Sequence, residues 1–414
     1  MPHWIQSVIG LPVFLALAWL LSEKRNSVSF RFIAICMATQ LLLALVLLNA
    51  PLLSGLFSGS SAILAQIESA TFEASRFLFG YLVGGADTPF EMVKPEHDGI
   101  LSFRIFPLII VLSALSALFY HLGIIPFVIK TISKPVRKFF GLSSLVAFGA
   151  SASLYFGVVE IPILLKPYLS KLNRAKLFTI LTCTMATVSG TVLVLYVSVL
   201  ESALDDPLVH LVTASFLSIP AALAFAHIMI PRTDELPSQE HILPQEDQTT
   251  HSPLEALLNG TMEGVRMVVF VAATILTFFA IVNLCNAGLG ALHDGLTLQS
   301  ALGTLGRPLL WLVGLEWSET KTAAPLLGTK LILNEFVAFL EMAKDPGLLS
   351  PRSKVILSYV FCGFVNLASV GIASSSLSLL MPSRKKEVLS LVCKSAVSGL
   401  LATLTTAAVI NVFL

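Results

Sequence analysis

Apolar runs of about twenty residues recur along the chain, and no other feature limits its possible folds so tightly. Leu177–Leu200 and Leu208–Ile230, for example, contain no Asp, Glu, Lys or Arg. Each is long enough to cross a hydrocarbon core about 30 Å thick. Without water in that core, every backbone N–H and C=O must be paired within the segment, so such runs are helices. Composition agrees. Hydrophobic residues make up 55% of 414 positions and charged residues 12%, against about 25% charged in a soluble chain that must cover its surface. A large soluble helical core does not fit, and an all-α polytopic membrane protein does.

Other totals exclude rather than assign. The net charge of +1 carries no signal for nucleic acid, and none is expected as a partner. The five cysteines lie in apolar surroundings without a CxxC pair, and the eight histidines are scattered without HExxH. Neither a disulfide framework nor a metal or other cofactor is expected. The first apolar stretch lacks a basic region before it and a small-residue cleavage site after it, so it reads as a retained helix.

Eight spans are expected, near residues 4–21, 32–53, 106–129, 177–200, 208–230, 265–285, 355–380 and 388–413. Residues 60–83 and 254–263 read as helices lying on the membrane surface. Arg232–Pro253 is polar and acidic and reads as a linker. Lys and Arg set the orientation. Clusters at Lys24, Arg25 and Arg31, at Lys130–Lys138, at Lys166–Lys176 and at Arg384–Lys386 are placed in the cytoplasm, and Asp205 and Asp206 outside. The small-residue region 142–169 must then enter and leave from the cytoplasm, and region 298–342 from the outside. Two opposed re-entrant hairpins in an inverted repeat result, an arrangement that puts binding sites near the membrane midplane. The expected organisation is a scaffold with an interfacial helix (1–100), a first repeat with hairpin 1 (101–230), a cytoplasmic linker (231–253) and a second repeat with hairpin 2 (254–414).

Four polar clusters fall within these segments. The first runs from Ser153 through Phe156, Gly157, Val158, Val159 and Glu160 to Pro162. A carboxylate beside helix breakers at membrane depth faces a cavity or a partner. Its bland alternative is a structural ion pair or a Glu close enough to the interface to snorkel. The second, Lys330 to Phe336, offers Asn334 and Glu335 as groups suited to sugar hydroxyls, with Lys330 able to neutralise a carboxylate. An interfacial loop with ordinary charges competes with that reading. In the third, Asn366 and Ser369 are three apart and share a helical face, with Phe364 able to wall a ring. Small-residue helix packing competes. The fourth, Thr187–Val188–Ser189–Gly190–Thr191, reads as a helix break whose carbonyls and hydroxyls suit a cation, or as packing.

Taken together these clusters resemble the concentrative nucleoside transporter family. The resemblance runs from Ala18–Glu23 with Phe30–Arg31, through Phe103–Pro107, Leu118–Gly123 and Lys166–Leu169, to Gly328–Phe339 and Cys362–Gly371. Gly328–Phe339 is its most specific part. The resemblance implies a homotrimer of the bacterial inner membrane, each protomer importing nucleosides by cation symport through alternating access, with no enzymatic chemistry. It implies that Glu335, Asn366 and Ser369 hold the ribose, that Phe364 lines the pocket and that Glu160 belongs to the polar site of the first hairpin. Two departures stand out. Val158 and Val159 occupy positions where the family usually carries Gln followed by Thr, Ser or Asn to meet the base. Altered base selectivity is therefore expected, or a different ribosylated or sugar-like solute. Ser153 stands where sodium-coupled relatives carry Asn, and Phe156, Thr187 and Val188 occupy the other positions of that ion site. A hydroxyl replaces an amide carbonyl poorly as a hard-cation ligand, so the expectation favours H+ over Na+. A nucleoside-sensing membrane protein using the same pocket is the reading from another class.

Overall fold

The computed structural model describes residues 3–49, 51–84, 100–158, 160–232, 251–292, 297–345 and 347–414. Every regular element among them is helical, as paired backbone in lipid requires. In chain order the helices are α1 (His3–Leu20), α2 (Phe30–Asn49), α3 (Pro51–Phe79), α4 (Leu101–His121), α5 (Ile124–Phe140), α6 (Ser144–Ala152), α7 (Glu160–Leu164), α8 (Arg174–Ala186), α9 (Gly190–Leu200), α10 (Pro207–Met229), α11 (Pro253–Leu292), α12 (Leu298–Leu312), α13 (Thr320–Ile332), α14 (Glu335–Lys344), α15 (Pro351–Phe361), α16 (Leu367–Leu380) and α17 (Lys385–Phe413). Most of the linker expected at 231–253 lies outside the described residues.

Among the described residues, five helices are long and apolar enough to cross a membrane: Phe30–Leu48, Ser102–His121, Pro207–Met229, Pro253–Ala291 and Pro382–Phe413. Trp4–Leu20 and Leu367–Leu380 are shorter apolar helices. The spans expected at 177–200 and 355–380 are each interrupted, α8 from α9 and α15 from α16.

Two other expectations are corrected. The span expected to reach Ile129 ends at His121, because Gly123 adopts φ +76° and its N–H bonds back to the Tyr120 carbonyl. A left-handed glycine just past the last turn is a standard helix stop. The amphipathic, basic α5 then starts afresh, burying Ile125, Ile129 and Ser133 while Phe127 and Phe139 are exposed. The surface helix and the span expected at 254–263 and 265–285 are one continuous helix, α11. Gly260 and Gly264 do not break it. They lie against Ser113, Ala114 and Ile110 of α4 so closely that an added Cβ would sit within 3 Å of α4 atoms.

The chain divides into two compact units, Ala50–Val128 with Glu246–Leu276, and the remainder. The smaller unit is built on α3, α4 and the first part of α11, with the Phe79 and Phe103 rings 5.0 Å apart. In the larger unit α10 and α17 form the interior, each with 78% of its apolar window buried. Helices α8, α1 and α15 pack on α17. Apolar packing does not distinguish one helix from another in lipid, so polar bonds help fix partners. Gln40 donates to Thr406 at 3.0 Å, and Ser218 meets the same hydroxyl at 3.3 Å.

At one end of this unit the Glu23 carboxylate accepts from Arg174 (2.7 and 3.1 Å) and Lys394 (2.5 Å), while Arg384 is bidentate to Glu387. The adjacent guanidinium and ammonium hold the Glu23 carboxyl down at about 2. The Glu23 amide bonds the Met229 carbonyl, so this charged end lies at the C-terminus of α10, opposite Asp205 and Asp206.

Candidate functional site

Four interrupted helices build the site: α6/α7, α8/α9, α13/α14 and α15/α16. Each interruption leaves backbone groups without helical partners, so each must be satisfied by side chains or by neighbouring segments. The α6/α7 and α8/α9 breaks do this for one another, while asparagine caps serve the α13/α14 and α15/α16 breaks.

Hairpin 1 is tied to the α8/α9 break. The Thr187 hydroxyl donates to the Ser153 carbonyl at 2.7 Å and also reaches the Cys183 carbonyl at 3.0 Å. The Gly190 amide donates to the Tyr155 carbonyl at 3.0 Å. The Ser153 hydroxyl turns back onto Ala150 at 2.8 Å. Thr187, Val188 and Ser153 are fully buried. Phe156 is half-buried, and its ring meets Tyr155 edge-on at 5.2 Å.

The α15/α16 break joins the two hairpins. Gly363 lies on the end of α8, where an added Cβ would come within 2.8 Å of the Met185 carbonyl oxygen. Phe364 crosses to hairpin 1, where a Cβ on Gly157 would meet its ring at 3.3 Å and Glu160 Oε2 at 3.0 Å. Glu160 opens α7 and accepts the Gly157 amide at 2.9 Å. Val158 is buried, and Val159 lies outside the described residues.

Two residues beyond Phe364, Asn366 caps α16, its Oδ1 accepting the Ser369 amide at 2.7 Å. Its Nδ2 donates to Glu335 Oε2 at 2.9 Å. Tyr196 of α9 donates to Glu335 Oε1 at 2.6 Å. Glu335 is 3% exposed and opens α14, where the helix dipole favours a negative charge. Asn334 is the α14 N-cap, with Oδ1 accepting the Val337 amide at 2.9 Å. Its acceptor is therefore used locally, while the carboxylate one residue on is held by partners from two other elements.

The residues named from sequence thus fall into three groups. Ser153, Phe156, Thr187 and Val188 lie around the hairpin 1 and α8/α9 junction. Gly157, Val158 and Glu160 lie beside Phe364. Asn334, Glu335, Asn366 and Ser369 form the third group. Tyr196 was not foreseen. Its signal is a lone phenol in the otherwise apolar α9, since a buried tyrosine hydroxyl needs a partner.

The pattern described as Na+ dependent nucleoside transporter N-terminus fits residues 9–82, and the corresponding C-terminus pattern fits residues 210–411. Between them a gate pattern described as nucleoside recognition fits residues 102–203. The uncharacterized transporter YutK of Bacillus subtilis is 30% identical over 413 residues, covering 98% of each chain. The nucleoside permease NupC of Helicobacter pylori is 29% identical over 418 residues, covering 99% of this chain and 97% of its own. A solved structure of CNTnw in an inward-facing substrate-bound state superposes with a TM-score of 0.89 at 31% identity, covering 99% of this chain and 98% of that one. On this full-length similarity, the chain belongs to the concentrative nucleoside transporter family, a family of membrane transporters rather than enzymes.

Proposed function

We propose that this protein imports nucleosides across a bacterial inner membrane by cation symport, as a homotrimer whose protomers each work by alternating access. The observation that carries the reading is the Glu335 carboxylate, fixed by Tyr196 and Asn366 where the helix breaks meet. An ionised carboxylate has about four acceptor positions and these two donors occupy two, which leaves acceptors for the vicinal hydroxyls of a ribose. Charge-assisted bonds of that kind are roughly twice as strong as neutral ones. Ser369 and Phe364 complete the sugar end and its wall. Two opposed re-entrant hairpins, with tips at Gly157–Glu160 and Asn334–Glu335, would expose this site alternately.

The coupling ion in this reading is H+. Support comes from the two hydroxyls at the expected ion position. Both Ser153 and Thr187 donate to backbone carbonyls, so their protons are aimed at oxygens that a cation site would recruit. None of the four residues expected there, Ser153, Phe156, Thr187 and Val188, itself carries a carboxylate or amide side chain.

The base end reads as permissive. Val158 is apolar and buried, and cannot reward a polar base edge. Each hydrogen bond lost in this way removes roughly 1–3 kcal/mol of discrimination. The same observation favours a second reading, in which the solute is a different ribosylated or sugar-like compound.

Counterflow of labelled nucleosides in proteoliposomes tests the function, with a purine and pyrimidine panel and with imposed Na+ or pH gradients. Exchange that is driven by a pH gradient and tolerant of the base is expected. Saturable binding without counterflow would mean a sensor, and uptake requiring Na+ but indifferent to pH would overturn the choice of ion.

A further inference from the structure

Lys330 is the outstanding anomaly of the buried interior. It lies on α13, five residues before Glu335, with no solvent exposure. Its Nζ has no hydrogen-bond partner among the described residues. An ammonium brings three donors, and burial of such a group is strongly unfavourable unless a charge compensates it. Among the described residues Glu335 is the only buried carboxylate and Lys330 the only buried cation, five residues apart across the α13/α14 break, and their charges act on one another. The other titratable groups facing that carboxylate are Tyr196 of α9 and Cys362 at the end of α15, neither of them cationic.

This has a consequence for binding. Tyr196 and Asn366 are neutral donors, so neither balances the charge of the carboxylate they hold. A nucleoside that brings neutral hydroxyls does not balance it either. A protonated carboxyl would present a donor where the sugar needs acceptors.

We propose that Lys330 is a positioning residue for substrate. Its ammonium balances Glu335 inside the protein, keeping that carboxylate ionised and acceptor-only whether the site is empty or loaded. The inference rests on the reading of Glu335 as the sugar-binding group. Lys330 acts through Glu335 and not by touching substrate.

A double-mutant cycle on the full chain tests this, with two readouts: equilibrium binding of labelled uridine and adenosine, and thermal unfolding without ligand. Lys330→Met in the otherwise unaltered protein is expected to weaken binding by about a hundredfold, the scale of breaking a buried charge pair. In a Glu335→Gln background, where no charge needs balancing, the same change is expected to cost less than about threefold. Lys330→Arg, which keeps the charge, is expected to restore binding to within about tenfold of the unaltered protein.

Unfolding covers the case in which Glu335→Gln leaves too little binding to measure. The double variant is expected to melt above Lys330→Met alone, because removing both members of a buried pair relieves the stranded charge. Equal effects of Lys330→Met in both backgrounds, by either readout, would overturn the proposal and leave a packing or direct-contact role. Unchanged binding in Lys330→Met would overturn it as well. If the unaltered protein binds neither nucleoside, the functional reading fails, and the unfolding cycle still judges the pairing.

Discussion

Glu160 and Glu335 each open a short helix after a break, yet their surroundings differ. Glu335 is buried and accepts from Tyr196 and Asn366 on two other elements. Glu160 is half-buried and accepts the amide of Gly157, three residues back in its own loop. Glu335 is placed by the tertiary structure, and a group held by several distant elements is pre-organised at low entropic cost to the ligand. Glu160 stands more exposed, at the start of a five-residue helix. The two tips therefore carry the same chemistry at unequal depth.

The largest expected effect is at Glu335. Glu335→Ala leaves the Tyr196 hydroxyl and the Asn366 amide unpaired in a buried place, and hydrogen bonds to a charged group are worth about 1.5–3 kcal/mol each. Nucleoside binding to the purified protein should fall by about a hundredfold or more. Glu160→Ala in the same titration should cost about tenfold at most, because this carboxylate is only half-buried and water can take over its bonding. Equal losses would break the comparison.

The two asparagine caps come next. Asn366→Ala removes a cap and a donor to Glu335 together, an expected cost of about 2–3 kcal/mol. Asn334→Ala removes only a cap, about 1 kcal/mol. Paired thermal melts and binding isotherms should show the first variant losing both stability and affinity, the second mainly stability.

A smaller effect probes the contact between the Gly157 turn and the α15/α16 break. Gly157→Ala would place a methyl 3.0 Å from Glu160 Oε2 and 3.3 Å from the Phe364 ring. A several-fold loss of uptake is expected, on the order of 1 kcal/mol of overpacking. Adding Phe364→Leu should recover part of it. If the double variant is simply the sum of the two single losses, Phe364 does not limit that approach.

The smallest effect concerns a carboxylate outside the site. Glu23 is paired with Arg174 and Lys394, and its carboxyl is lowered from 4.5 to about 2. A lowered folded-state value means the stabilisation is present above the unfolded value and is lost as pH falls. Melting temperature should therefore decline between about pH 4.5 and pH 2 more steeply in the unaltered protein than in Glu23→Gln. Solvent screening keeps the contribution to about 1 kcal/mol or less. Parallel pH profiles would show that the pair adds nothing.

Much of the fold was legible because lipid leaves a chain few options. Runs as long as Pro207–Met229 must be helices, and their ends follow from charge and turn residues. The break at Thr187–Ser189 was legible too, from hydroxyls and a glycine inside an apolar run. Other glycines were not legible in this way. Gly123 ends a helix through its positive φ, whereas Gly260 and Gly264 run straight through one because a neighbouring helix needs the space. Nothing local separates those two uses of the same residue.

For the site, residue types and their proximity to breaks were readable, so Glu160, Glu335, Asn366 and Ser369 could be named in advance. Which of them meet was not. Tyr196 lies 139 positions from Glu335 and bonds it directly. Asn334 and Asn366 both look like ligands in sequence, yet both spend an oxygen on capping, and only Asn366 also reaches the carboxylate. The sequence alone determined that the chain lives in lipid and that Glu160 and Glu335 stand beside helix-breaking residues, because hydrophobic length and helix-breaking residues are local properties; the α15/α16 break was not legible. Only the tertiary structure decided that the α6/α7 and α8/α9 breaks satisfy one another, and that Tyr196 and Asn366 hold Glu335. The hydrogen-bond partners of a buried group come from distant parts of the chain.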